Sequence, residues 1–382
     1  MKPQGGSGFL LQATGKPLGA LLPRRVRLGL GRRPAFVRMN GGCEPFPDRM
    51  TAKTRPIEPT LLQPAYEDPD AVWSLVEAHA PYWSIQRYVA SEAEMEAVSR
   101  ERNRGRVSVI PWFRGDWAYG APLVRGAERV LQNPPFIEAA REAFDAEVVR
   151  PLVVYVNLMA PMPIAGEGHI DVPSFRGFDR TRHPVWLLQA MGRSGLFRRW
   201  QIDQATAVSW FYEGEKGEFD YWADGIDAPP RSVTGLTNKA VVGDNDFMFH
   251  RVREVGRGAG LPEGLSLDTE LRYGGGGAWE VATGNTVHCA WPGEKIRVSV
   301  SWKAEVFASA AEARERDDHS DDLMLDTVID HFQRALDDRG LGVGRSENNI
   351  ADPEFIAAVS EAFPLPDLVY PTQRETDHRR RR

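Results

Sequence analysis

Ile296-Arg297-Val298-Ser299-Val300-Ser301-Trp302 alternates apolar and polar side chains without a break. Successive side chains of an extended strand point to opposite faces. Ile296, Val298, Val300 and Trp302 therefore share one face, and Arg297, Ser299 and Ser301 the other. A strand with its polar side in water fits this pattern, and so does one whose polar side lines a cavity. Outward from here the same texture runs back to residue 150. Strands are expected at 152–159, 207–213, 218–223, 239–242, 247–255, 279–282, 286–291 and 296–307. The second and third are separated by Gly214 and Gly217, as in a hairpin. A Gly/Pro-rich insertion containing residues 274–277 precedes the last three. Many short strands with turn signals and no intervening helices predict a sandwich or barrel rather than a doubly wound sheet.

Helical periods flank this region. Val72, Leu75 and Val76 follow the start signal Asp68-Pro69-Asp70 in a segment expected to be helical over 68–104. Asn133-Pro134-Pro135 opens a second helix, expected over 135–149, with Phe136, Ala139, Ala140, Phe144 and Val148 on one face. Between them lies Pro111-Trp112-Phe113-Arg114-Gly115-Asp116-Trp117, an aromatic, turn-rich segment to which no role attaches. After residue 307, Leu323, Leu325, Val328, Ile329, Phe332 and Leu336 form an apolar stripe, and 353–363 reads as a short last helix. The expected class is mainly β with flanking helices (α+β), a helical cap on a β-core. The expected divisions are a disordered basic segment 1–50, a helical region 51–149, the β-core 150–307, a helical region 308–370 and a basic tail 371–382.

The 382 residues suffice for a large core. Net charge is −6, but residues 1–43 hold eight Lys or Arg and no acid. The rest of the chain sets 39 basic against 53 acidic side chains, a balance that argues against nucleic-acid binding. Cys43 and Cys289 are the only cysteines and make no disulfide framework, so a reducing, cytoplasmic setting is expected. No apolar run is long enough to span a membrane. The Arg-rich, acid-free start fits either a disordered tail or an organelle transit peptide; its Pro and Gly content favours the tail.

Gly166-Glu167-Gly168-His169-Ile170-Asp171 follows the expected strand 152–159. His169 and Asp171, two apart on extended backbone, project together and supply two-thirds of a 2-His-1-carboxylate site for non-haem Fe(II). A surface turn explains the same pair. Downstream, His250 lies on an expected strand after Gly243-Asp244-Asn245-Asp246 and is preferred as the second imidazole. His288 is the alternative, nine residues before Arg297, where a Pro292-Gly293 turn would join neighbouring antiparallel strands. Arg297, with Ser299 beside it, suits bidentate binding of a carboxylate. Tyr155 and Asn157 share a face of the strand 152–159 and are candidates to hydrogen-bond the same ligand. Trp112, Trp117, Phe175, Arg176, Trp186 and Trp210 are candidate walls for a substrate.

This ordered set resembles the Fe(II)/2-oxoglutarate-dependent dioxygenase superfamily, in particular its prolyl-hydroxylase-like and phytanoyl-hydroxylase-like branches. The resemblance covers residues 150–307. It implies a double-stranded β-helix (jelly-roll) with iron at its open end, His169, Asp171 and His250 as ligands, and Arg297, with Ser299, on the distal carboxylate of 2-oxoglutarate. It further implies a hydroxylase that consumes O2 and acts on a small-molecule or peptidyl substrate. The 47-residue interval from His250 to Arg297 departs from the family pattern, so either 256–277 is an insertion or His288 is the ligand. Two other readings stand beside it. A cupin-like metalloenzyme would leave Arg297 without a task, and a non-catalytic β-sandwich binding module would retain no metal.

Overall fold

The computed structural model describes residues 57–85, 110–163, 168–257, 260, 262–346 and 349–364. The basic N-terminal segment, the far end of the helical segment expected over 68–104, and the tail 371–382 lie outside them. All described residues belong to one unit, Asp48–Arg382.

In chain order the elements are β1 (Thr60–Leu62), α1 (Pro69–Ala78), β2 (Tyr82–Ser84), β3 (Trp112–Tyr119), β4 (Ala121–Pro122), α2 (Glu128–Leu131), α3 (Pro134–Phe144) and β5 (Val148–Met159). There follow β6 (Ser174–Phe175), α4 (Val185–Ser194), β7 (Gln201–Ile202), β8 (Gln204–Phe211), β9 (Phe219–Tyr221), β10 (Arg231–Val233), β11 (Thr237–Gly243) and β12 (His250–Val252). The chain closes with β13 (Thr269–Gly275), β14 (Ala278–Thr283), β15 (Thr286–Pro292), β16 (Arg297–Phe307), α5 (Ala310–Asp318), α6 (Leu325–Asp337) and α7 (Pro353–Ala362).

The large sheet has the order β1-β11-β8-β16-β5-β3-β2-β13-β14-β15, with β4 added to β3. A small sheet, β10-β9-β12, is extended beyond β12 by two bridges, Met162 to Val255 and His169 to His250. Between β5 and β16 the chain passes repeatedly from one sheet to the other. It goes from β5 to the His169 segment, back to β8, across to β9 and β10, back to β11, across to β12 and home to β16. The resulting orders, β11-β8-β16-β5 facing β10-β9-β12 with the bridged residues Met162 and His169 beyond it, are those of a jelly-roll.

Three expectations are corrected here. The segment expected to be helical over 68–104 leaves the helix at Ala78, and Tyr82–Ser84 forms β2. The runs at 207–213 and 218–223 are not a hairpin: β8 pairs with β11 and β16, while β9 pairs with β10 and β12. The Gly214–Gly217 turn carries the chain across to the facing sheet. The second helix ends at Phe144, because Asp145 takes a left-handed φ of 49°, and Val148 starts β5 instead. Helices α4 and α5 and strand β13 were not legible as elements.

Both faces of the large sheet are covered, which is why β8 and β16 are buried at every residue. Val154, Val156, Leu158, Val298, Val300 and Trp302 turn outward onto Val72, Val76, Val130, Leu131 and Phe136 of the first three helices. Asp68 and Asn133 cap α1 and α3 just ahead of a proline, fixing where those helices begin. The inner face meets the small sheet through Met159, Val208, Trp210 and Val241 against Phe219, Val233 and Val255. A separate core joins α4, α6 and α7 through Leu187, Leu188, Phe332 and Phe355. Trp302 is fully buried, donates its indole N–H to Leu131 O at 2.7 Å and meets Phe136 edge-on. Trp302→Ala is expected to cost about 3–5 kcal/mol, read as a lowered urea midpoint.

Candidate metal centre

The backbone of the small sheet brings the first two candidates face to face. His169 N–H donates to His250 O at 2.9 Å, and His250 N–H donates to His169 O at 3.0 Å. This closed pair puts both imidazoles on one side of the sheet, with ring centroids 4.5 Å apart. Asp171 N–H donates to Asn245 O at 2.8 Å, so the acidic turn preceding β12 anchors the carboxylate. His169, Asp171 and His250 offer ligand atoms that all lie within 4.8 Å of one another. Among the described residues it is the one such group of His, Cys, Asp or Glu.

The carboxylate has two differentiated oxygens. Asp171 Oδ1 faces His250 Nε2 at 3.6 Å and His169 Nε2 at 3.9 Å. Oδ2 meets Lys303 Nζ at 2.8 Å, and the same ammonium reaches Asp246 Oδ1 at 3.1 Å. Burial alone would raise the Asp171 pKa, but Lys303 and the two imidazoles hold it well below the carboxylate range. Burial, with Asp171 and Asp244 nearby, pushes Asp246 up to about 7. Burial and neighbouring His169 push His250 down to about 4, so it is neutral at pH 7. His250 Nδ1–H donates to Met248 O at 3.0 Å, which leaves the Nε2 lone pair directed at the cluster. One ionised oxygen and a neutral imidazole lone pair thus converge beside a second imidazole. This donor set fits a divalent metal of the Fe(II) type held by two histidines and one carboxylate.

His288 has a different place. β15 pairs with β14 at the far end of the large sheet, with five strands between it and β16. His288 Nε2 bonds Thr283 Oγ1 at 2.8 Å. The expectation that β15 and β16 are neighbours is overturned: the meander β13–β15 is an insertion that extends the sheet through β2.

Arg297 begins β16 on the inner face, fully buried, opposite Met159 of β5. Its Nε–H donates to Gly217 O at 2.7 Å, while Nη2 has no hydrogen-bond partner among the described residues. Gly217 sits at φ 76°, and a Cβ there would meet the Tyr212 ring at 3.0 Å and Arg297 Cδ at 3.1 Å, so the close approach requires glycine. Burial pulls the guanidinium pKa down to about 9, and it stays charged at neutral pH. Ser299 lies opposite Asn157, and Ser301 opposite Tyr155, on the same face. Asn157 Oδ1, Trp112 Nε1 and Trp210 Nε1 are also buried without hydrogen-bond partners among the described residues. The structure therefore gathers Tyr155, Asn157, Arg297 and Ser299 on the sheet face that looks toward the metal cluster.

The candidate wall divides. Trp112 and Trp210 border the space between the sheets, whereas Trp117 packs in the outer core and Phe175 and Trp186 in the helical core. Arg176 is paired with Asp321 at 2.6 Å.

The sequence reading missed Lys303. Its signal was the alternation itself, which continues two residues past Ser301. Lys303→Met is expected to leave the fold intact and to weaken Fe(II) binding roughly 10–100-fold, as loss of an outer partner of a ligand does. Anaerobic Fe(II) titration reads this out.

No protein-family model matches the chain, and no curated protein matches it. Among solved structures it resembles a 2OG-Fe(II) oxygenase family oxidoreductase from Burkholderia pseudomallei, at 10% identity over 65% of this chain and 84% of that one, TM-score 0.34. It also resembles a Pseudomonas putida prolyl-4-hydroxylase, at 12% identity over 66% and 94%, TM-score 0.32. A third is HygX from Streptomyces hygroscopicus with nickel and 2-oxoglutarate bound, at 9% identity over 65% and 83%, TM-score 0.32. Likenesses this distant assign neither a reaction nor a site.

Proposed function

We propose that this protein is a non-haem Fe(II)- and 2-oxoglutarate-dependent dioxygenase that hydroxylates a second substrate. The observation that carries the reading is a pairing. His169, Asp171 and His250 converge at one end of the space between the sheets, and β16 brings a buried guanidinium with an unpartnered Nη2 to the same inner face.

Bound Fe(II) would supply O2 activation, with 2-oxoglutarate, O2 and a C–H substrate yielding succinate, CO2 and the hydroxylated product. The chain's own residues do the remainder. His169, Asp171 and His250 would hold the metal through two imidazoles and one carboxylate oxygen. Lys303 keeps Asp171 ionised and restrains Oδ2, so that Oδ1 is the oxygen presented. Arg297 offers paired donors to the distal carboxylate, with Ser299 as a neighbouring hydroxyl. Tyr155 and Asn157 complete a polar floor on β5. Trp112, Trp210 and Phe219 exclude water around it, which strengthens the charged contacts.

No helix among the described residues is long and apolar enough to cross a membrane. A cytoplasmic setting is part of the proposal and rests on the cysteine usage. The test is anaerobic loading with Fe(II) followed by 2-oxoglutarate and O2, with succinate measured. Succinate formation in the absence of a second substrate supports the reading. Failure of folded protein to bind either Fe(II) or 2-oxoglutarate sinks it.

A further inference from the structure

One short turn, Gly243-Asp244-Asn245-Asp246-Phe247-Met248, touches most of the metal centre. Asp244 O closes it by accepting from Phe247 N–H at 3.1 Å and from Met248 N–H at 2.6 Å. Asn245 O accepts from Asp171 N–H at 2.8 Å, and Met248 O accepts from His250 Nδ1–H at 3.0 Å. The turn therefore sets the backbone of one ligand and the ring of another. Its place follows from the large sheet. Gly243 ends β11 opposite Thr206 of β8, and Thr206 lies opposite Lys303 of β16. The residues past Gly243 leave the sheet beside this row, which brings Asp246 to the Lys303 ammonium.

Asp246 is only 5% exposed. Lys303 Nζ, 3.1 Å from its Oδ1, is the one hydrogen-bond partner of its side chain among the described residues, and Oδ2 has none. A carboxylate taken out of water for a single contact is a poor stabiliser. What the contact does is restrict a lysine. An ammonium is a compact charge with three donors on a flexible four-carbon stem. Held by Asp171 alone, it is free to centre between the two carboxylate oxygens and to crowd the one that faces the imidazoles. Asp246 gives Nζ a second fixed point. Nζ then stays 2.8 Å from Asp171 Oδ2, while Oδ1 lies 3.6 Å from His250 Nε2.

We propose that Asp246 is a positioning residue of the metal centre, which fixes the Lys303 ammonium on Asp171 Oδ2 and so reserves Oδ1 for the cation. Its side chain bonds none of the three ligands and acts through Lys303. This rests on the metal-centre reading and not on the identity of the co-substrate.

The test uses the full chain and Mn(II), titrated calorimetrically without 2-oxoglutarate and repeated anaerobically with Fe(II). The proteins are wild type, Asp246→Ala, Asp246→Asn, Lys303→Met and the two double variants. The amide oxygen of asparagine still accepts from Nζ, whereas alanine removes the acceptor. Asp246→Ala is expected to weaken cation binding roughly 10–100-fold, the range for an outer partner of a ligand, and Asp246→Asn to recover most of the loss. In the Lys303→Met background the same replacements should change affinity by less than about twofold, because groups that act through one another are not additive. Asp246→Ser, too short to reach Nζ, takes the place of Asp246→Ala if circular dichroism shows that variant unfolded. Wild-type affinity in Asp246→Ala overturns the proposal. So does a loss of the same size in the wild-type and Lys303→Met backgrounds, or a loss in Asp246→Asn as deep as in Asp246→Ala. Wild type that binds neither cation overturns the metal centre and the positioning role together. Succinate measured on the same proteins separates the two readings. Coupled cation binding without succinate leaves the positioning role standing while the dioxygenase reading falls, and succinate with additive effects does the reverse.

Discussion

Replacing His250 with alanine removes Fe(II) retention and succinate formation, while replacing His288 leaves both at wild-type levels. His250 Nε2 is one of three donors within 4.8 Å of one another, and its Nδ1–H is already committed to Met248 O. Taking it away leaves two donors, and the affinity lost should exceed the roughly 10–100-fold that an outer-shell partner contributes. His250 is buried against Phe219, so alanine also opens a gap in the small sheet. Circular dichroism and a His250→Gln variant separate unfolding from lost ligation. His288 is the control, because it sits on β15 and bonds Thr283. Equal loss in both variants would remove His250 from the centre.

The second large effect is expected at Arg297. Arg297→Leu should raise the KM for 2-oxoglutarate by about 30-fold to several-thousand-fold, the range set by roughly 2–5 kcal/mol for truncating one partner of a buried charged contact. Fe(II) affinity should stay near wild type, since Arg297 touches Gly217 O and the Met159 sulfur rather than the three donors. Arg297→Lys keeps the charge but not the planar fork, so it should recover part of the loss. The steady-state KM and the 2-oxoglutarate Kd under anaerobic conditions check this. An unchanged KM in Arg297→Leu would mean that the co-substrate carboxylate is held elsewhere.

The inner face of β16 was legible because a period of two is a local property of sequence, and residues 296–302 keep it without a break. His169 and Asp171 were legible for the same reason. The choice between His250 and His288 was not, because strand order is a long-range property. β15 directly precedes β16 in the chain, yet five strands separate them in the sheet. The mistaken hairpin has a related cause. A glycine turn looks alike whether the chain returns to its own sheet or crosses to the facing one. Lys303 was hidden by the expectation that lysines seek water. Its burial depends on Asp171 and Asp246, which arrive from other parts of the chain.

The Lys303–Asp171 pair also sets the proton inventory of metal uptake. A carboxylate already ionised and an imidazole already neutral have no proton to surrender when a cation arrives. For those two ligands, loading near neutral pH is a matter of displacing water alone. Mild acidification, which strips metal from ordinary histidine sites by protonating them, should find His250 resistant until the pH approaches 4.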